Sequence, residues 1–186
     1  MSCVQQVTKP FGRSYRVEPG RLLAGFYPGD LSKQKAEQKL GALLDVEITC
    51  VVNLMEEDEL GANGQSFRPY TRLLMQLATV RCVEVTYVRM PIRDQNIPAI
   101  ATMQMILDTI DSAMQRKLAT YVHCWGGLGR TGTVVGCYLA RHGIASGDKA
   151  LDQIIHLRRN HDTDFHRPSP ETEHQRAMVR QWQQGQ

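Results

Sequence analysis

The stretch from Ala119 to Ala140 constrains the fold more than any other. A short apolar run, Ala-Thr-Tyr-Val, passes through His123-Cys-Trp-Gly-Gly-Leu-Gly-Arg-Thr-Gly132 into a helical segment reaching Leu139 and Ala140. A buried strand that feeds a glycine-rich loop and then a helix needs parallel neighbours and helices over both sheet faces. The rest of the chain repeats the alternation. Residues 21–27 read as a strand stopped by Pro28-Gly29, and Ser32 is placed to cap a helix through about Leu44. Ile48–Leu54 and Val83–Arg89 read as strands, with a short helix over 70–79 between them. From Pro98, Ile100, Met103, Ile106, Leu107, Ile110 and Met114 fall at steps of three and four, the stripe of an amphipathic helix. Asp148–Leu157 gives another helix. Ser169-Pro170-Glu171 predicts the start of a last one, with Ser169 as cap and Pro170 at its first position. The expected fold is α/β, a central mostly parallel or mixed sheet flanked by helices. One domain spans 21–186 behind an N-terminal extension, 1–20, that is packed or partly flexible.

At 186 residues, 42% hydrophobic and 22% charged, the chain has the balance of an ordinary globular domain, which excludes wholesale disorder. Its formal charge of +3 is spread out, with no basic run to grip nucleic acid. The first residues carry no secretory signal pattern, and no stretch approaches 18 apolar residues. Cytoplasmic location, a monomer and no membrane span are the expectations. The five cysteines, at 3, 50, 82, 124 and 137, are odd in number and widely spaced, which suits a reducing compartment and fits no zinc site. Cys50, Cys82 and Cys137 read as core, and any of them could pair with an oxidised Cys124. The acidic run Glu56–Glu59 reads as solvated surface ahead of a loop, Gly61–Gly64.

Cys124 is different. The glycines around it let backbone N–H groups turn towards one point, and the following helix aims its positive end there. Arg130 adds a planar fork suited to the oxygens of a tetrahedral phosphate. Such surroundings favour thiolate, so Cys124 is the candidate nucleophile towards phosphorus. Trp125, Gly126, Gly127, Leu128, Gly129 and Arg130 form the expected phosphate cradle. A Walker loop fails because no Lys follows the glycines, and Gly-x-Gly-x-x-Gly is absent.

His123-Cys124-x5-Arg130-Thr131 matches the signature of the cysteine-based protein tyrosine and dual-specificity phosphatase superfamily. The Gly-Gly-Leu-Gly-Arg wording resembles the kinase-associated, Cdc14-like and small atypical dual-specificity members. The resemblance implies a protein tyrosine phosphatase-like fold, a hydrolase working through a phosphocysteine intermediate, and no cofactor or metal. Met90-Pro-Ile-Arg-Asp94-Gln-Asn-Ile-Pro98 resembles the family's mobile acid loop, which makes Asp94 the proton donor to the leaving oxygen. It departs from the strict Trp-Pro-Asp form, because Pro91 lies three residues before Asp94. Arg167-Pro168 before a helix resembles the segment in which a glutamine, here Gln175, helps order water for the second step. Thr131 is placed to hydrogen-bond the thiolate and assist its departure, and His123 to order the loop.

The substrate expected is a phosphorylated protein or peptide. No lysine stands between Cys124 and Arg130, unlike the loops of members acting on polyphosphorylated inositol lipids. The loop also lacks the histidine and asparagine of those acting on RNA 5′-triphosphate. No Asn-Arg-Tyr recognition run occurs upstream, so a shallow pocket open to phosphoserine and phosphothreonine beside phosphotyrosine is expected. Residues 61–69, 156–159 and 161–167 are candidates for the rim, with Arg158, Arg159 and Arg167 read chiefly as surface charge. The alternatives are a phosphatase for a small-molecule or lipid phosphate and a non-catalytic phospho-residue binding module.

Overall fold

A computed structural model describes residues 9–61, 63–159 and 166–186. The strands are β1 (Ser14–Glu18), β2 (Leu22–Gly25), β3 (Ile48–Asn53), β4 (Thr86–Arg89) and β5 (Ala119–His123). They form one sheet in the spatial order β1-β2-β5-β3-β4. β2, β5, β3 and β4 run parallel, and β1 is antiparallel along the outer side of β2. The helices are α1 (Lys33–Asp45), α2 (Thr71–Val80), α3 (Ile100–Gln115), α4 (Gly129–Arg141), α5 (Asp148–Arg159) and α6 (Glu173–Gln181). This is the mostly parallel, helix-flanked α/β sheet that the sequence pattern predicts. No helix among the described residues is long and apolar enough to cross a membrane.

α4 organises the interior. Every residue from Gly129 to Ala140 is buried, against α3, α5, α6 and the strands β2 and β5. Gly136 permits the α6 contact, since a Cβ there would stand 2.6 Å from the Val179 methyls. Ser32 caps α1 as expected, its Oγ accepting from the Lys35 N–H at 3.4 Å.

The 14–18 part of the N-terminal extension is packed into the sheet as β1, with Ser14, Tyr15 and Val17 buried. Several local expectations are corrected. α3 has Ala99 as N-cap with Pro98 one residue earlier, and Ile100 in its first turn is exposed while the rest of the stripe is buried. The last helix is capped by Thr172 instead of Ser169, because Thr172 and Gln175 complete a reciprocal capping box. Cys82 is exposed in the turn after α2, whereas Cys50 and Cys137 are core. Arg158 is buried, its Nη1 donating to the Arg167 carbonyl at 2.8 Å. Cys3 and residues 161–165 of the expected rim lie outside the described residues.

Candidate active site

Four of the segments that build the site leave the carboxyl ends of parallel strands: Phe26-Tyr27 from β2, Leu54–Glu59 from β3, Met90–Asp94 from β4 and the cysteine loop from β5. Open parallel sheets gather ligands at that edge, where successive connections run to opposite sides.

The cysteine loop is shaped from outside. Carbonyls along it are taken by outward partners: His123 by the Leu54 N–H (2.8 Å), Trp125 by the Tyr27 N–H (3.0 Å) and Gly126 by Arg13 Nη2 (2.9 Å). The Leu128 carbonyl accepts from Ser169 Oγ at 2.8 Å and the Gly132 N–H at 3.0 Å. In a trans peptide the next N–H points opposite to the carbonyl. Turning these oxygens out therefore turns N–H groups in. From Trp125 to Thr131 no backbone N–H has an acceptor among the described residues. Together with the start of α4 these donors form an anion cradle.

The glycines do different jobs. Gly127 is in the left-handed region (φ 72°), and a Cβ there would stand 2.6–2.8 Å from the Gly25 and Phe26 backbone. Gly129 and Gly132 leave room for the segment before α6, a Cβ meeting Glu171 Oε2 at 2.7 Å and Ser169 Oγ at 2.3 Å respectively. Gly126 meets nothing closer than 3.9 Å.

Cys124 is buried, and its Sγ accepts from Thr131 Oγ1 at 3.1 Å. His123 is fully buried, and desolvation lowers its pKa to about 3, so the ring is neutral. Its Nδ1 lies 3.1 Å from the Cys124 carbonyl, which can only accept, so Nδ1 carries the proton. Nε2 then accepts from the Tyr70 hydroxyl at 2.6 Å. Tyr70 itself is held against the rings of Tyr27 and Tyr87.

Arg130 is 1% exposed at its side chain and is almost fully engaged. Nη1 and Nη2 grip Glu59 across two oxygens, at 2.5 and 2.7 Å. Nη1 also donates to the Ile92 carbonyl at 3.1 Å, and Nη2 lies 2.9 Å from Asp94 Oδ1. Nε is buried with no partner among the described residues. Asp94 thus leans on the edge formed by Nη2 and Nε, the edge a phosphate would take in a two-point contact. Glu59 comes from the acidic run read as solvated surface, and only 8% of its side chain is exposed. The sequence offered no sign of this beyond the need of a buried arginine for a partner.

Asp94 reaches the site because its loop is tied down on both sides. The Met90 and Ile92 N–H groups donate to the Asn53 and Leu54 carbonyls, and a turn closes from the Asn96 N–H to the Arg93 carbonyl (3.1 Å). Gln175, fully buried, ties the loop to α6. Its Nε2 donates to the Asn96 carbonyl at 3.1 Å, and Oε1 accepts from the Glu171 and Thr172 N–H groups. Its amide lies against Gly129, whose Cβ position is 3.0 Å from both amide atoms. Of the expected rim, Gly61 and Phe67 flank the loop, Phe67 packing edge-on against Trp125 at 5.7 Å between centroids.

The family described as PTP-SAK, a Swiss Army Knife protein with a DSP-PTPase phosphatase domain, matches residues 14–184. The chain belongs to that family. Its DSP-PTPase domain begins at β1 and takes in every segment of the site. Among curated relatives, an Arabidopsis thaliana protein named as a phosphatidylinositol 3,4,5-trisphosphate 3-phosphatase and protein-tyrosine-phosphatase is 30% identical over 96 residues. That match covers 50% of this chain and 22% of the relative, so the chain spans about a fifth of that protein's length. Among solved structures, Tk-PTP in its active form has a TM-score of 0.65 at 24% identity, covering 91% of this chain and 95% of that one. Kinase-associated phosphatase, with its catalytic-site cysteine replaced by serine, has a TM-score of 0.67 at 20% identity, covering 92% and 93%. These structures share the fold of the DSP-PTPase domain.

Proposed function

We propose that this domain hydrolyses phosphomonoesters on phosphorylated proteins, on tyrosine and on serine or threonine, through a cysteinyl-phosphate. One juxtaposition carries the proposal: the buried Cys124 thiol opens a loop whose N–H groups have no acceptor among the described residues, with the Nε of Arg130 likewise without one and Asp94 on the same guanidinium. Substrate phosphate takes the cradle and the Nη2–Nε edge of Arg130, displacing Asp94 from that edge. The Cys124 thiolate forms the S–P bond as the P–O bond to the substrate breaks, and Asp94 gives its proton to the leaving oxygen. Water then forms a new O–P bond, its proton passing to Asp94. The S–P bond breaks, and Thr131 Oγ1 donates to the departing sulfur. The N–H groups and Arg130 supply the charge stabilisation that phosphoryl transfer needs.

The absence of lysine between Cys124 and Arg130 supports a protein substrate over a polyphosphorylated inositol lipid. A pure binding module would need neither the Thr131–Cys124 hydrogen bond nor an acid beside the arginine. The test is kcat/KM on matched phosphotyrosine and phosphothreonine peptides in EDTA, with inositol phosphates and nucleotides run in parallel. Turnover of both peptides is expected, lost in Cys124→Ser and slowed in its first step by Asp94→Ala. Retained turnover in Cys124→Ser would overturn the mechanism, and turnover confined to non-peptide phosphates would overturn the substrate class.

A further inference from the structure

Trp125 of the cysteine loop also lines a groove of about 430 Å³. Trp125 is the first residue after the nucleophile, and Arg13, on the same wall, donates to the Gly126 carbonyl. We propose that this groove binds an acidic side chain flanking the phosphorylated residue of a polypeptide substrate. The inference rests on the protein phosphatase reading above and specifies its substrate.

Three features point to that occupant. The groove is lined by three cations, Arg13, Lys39 and Arg68, and by one carboxylate, Asp30. That carboxylate is already spent on Lys39, 3.1 Å from its Nζ. Second, the cations converge: Arg13 and Lys39 both lie over the Phe26 ring, each 4.9 Å from its centroid. Gathered on one ring, they make this wall attractive to a carboxylate, even with Asp30 beside Lys39. Third, Arg68 is exposed and donates only to the Leu31 carbonyl, at 3.1 Å, with no carboxylate in ion-pair range among the described residues. A guanidinium so placed keeps a fork open to a carboxylate.

The walls suit a polypeptide. Phe67 packs on Trp125 and on Tyr27, at 5.7 and 4.9 Å between centroids, and exposed Leu31 stands at the lip. These surfaces can hold the stem of a side chain while its carboxylate meets Arg68. An extended chain with its phosphate in the cradle reaches the groove with an adjacent residue.

The experiment uses three phosphopeptides of one length and one central phosphoresidue, flanked on both sides by Glu, Ala or Lys. p-Nitrophenyl phosphate, which has no flank, is the reference. For the wild-type protein kcat/KM is expected to be about 3- to 10-fold higher for the Glu peptide than for the Ala peptide, the scale of one or two exposed ion pairs. The Lys peptide should fall below both, and 0.5 M NaCl should compress the series. In Arg68→Glu the Glu-to-Ala ratio is expected to drop to one or below. A ratio taken within one variant is insensitive to how much of that variant folds. Equal kcat/KM for the three peptides, or an unchanged ratio in Arg68→Glu, overturns the inference. So does a soluble short-chain phosphoinositide turned over better than every peptide. Failure to hydrolyse p-nitrophenyl phosphate would instead remove the phosphatase reading itself.

Discussion

Glu59→Ala is the substitution in which stability and rate are most closely joined. The wild-type carboxylate and Arg130 form a two-point pair, with side chains 8% and 1% exposed. Deleting one member of a buried pair leaves the other charge uncompensated and costs about 3–5 kcal/mol. Asp94 and the Ile92 carbonyl remain on the guanidinium, so the lower half of that range is expected. In a domain of this size each kcal/mol lowers Tm by about 2–4 °C, so a drop of roughly 6–16 °C should appear in a thermal melt. Charge and position oppose each other in the activity. Removing a negative group beside the cradle would, by Coulomb's law alone, tighten binding of inorganic phosphate. Losing the clamp lets the fork swing, and a misplacement of about 1 Å can cost about 100-fold. Position is expected to win, with weaker inhibition by phosphate and kcat/KM on p-nitrophenyl phosphate down about 100-fold. A Tm within 2 °C of wild type (a fraction of the shift expected of a buried pair), together with tighter phosphate inhibition and undiminished kcat/KM, would refute the reasoning.

Three further outcomes are expected. The pKa of His123 is lowered to about 3 in the fold, against 6.5 for a free imidazole, so the unfolded chain binds its proton first. The stability this neutral ring contributes is complete above pH 6.5 and declines by up to about 1.4 kcal/mol per pH unit as pH falls towards 3. Urea unfolding between pH 4 and 7 should show that slope reduced in His123→Asn. In Thr131→Ala the thiolate loses its 3.1 Å donor as a leaving group, which should slow the second step about 10- to 100-fold, the range of a hydrogen bond to a charged group. A covalent phosphoenzyme should then accumulate in quenched samples read by mass spectrometry, with Thr131→Ser restoring turnover. Gly127→Ala should cost several kcal/mol, because it strains the backbone and drives a methyl into the Gly25–Phe26 peptide, on the order of an overpacked core site. Gly126→Ala should melt close to wild type, and equal melts for the pair would contradict this account of the loop.

The sheet was legible because its parallel strands are short apolar runs, most of them β-branched, separated by periodic helices, a pattern that neighbours in space do not alter. β1 was not, since Tyr15 and Val17 give too short an alternation to stand out and its pairing depends on a register with β2. Within the site, Cys124, Arg130 and Thr131 were readable because a strand, a loop and a helix start fix them locally. Asp94 was readable from its spacing to Pro98. Glu59 was not, because an acidic run looks the same whether it faces water or a guanidinium 71 residues further on. Arg13 was hidden for the same reason, 113 residues from the carbonyl it holds. The Ser169-Pro170 signal was misread as a helix start because a serine hydroxyl caps a helix or holds a distant carbonyl equally well, and here it holds that of Leu128.

The close seating of residues 169–175 on Gly129 and Gly132 has a consequence for the order in which a working site is acquired during synthesis. Cys124, Arg130 and Asp94 are all translated before the segment whose Ser169 fixes the Leu128 carbonyl and whose Gln175 steadies the Asp94 loop. Because β5 is the central strand, the sheet is complete only at His123, and the cradle gains its last wall later still, with residues 169–175. A nascent chain short of residue 169 therefore carries every side chain of the cysteine loop without the contacts that fix the Leu128 carbonyl and steady the Asp94 loop.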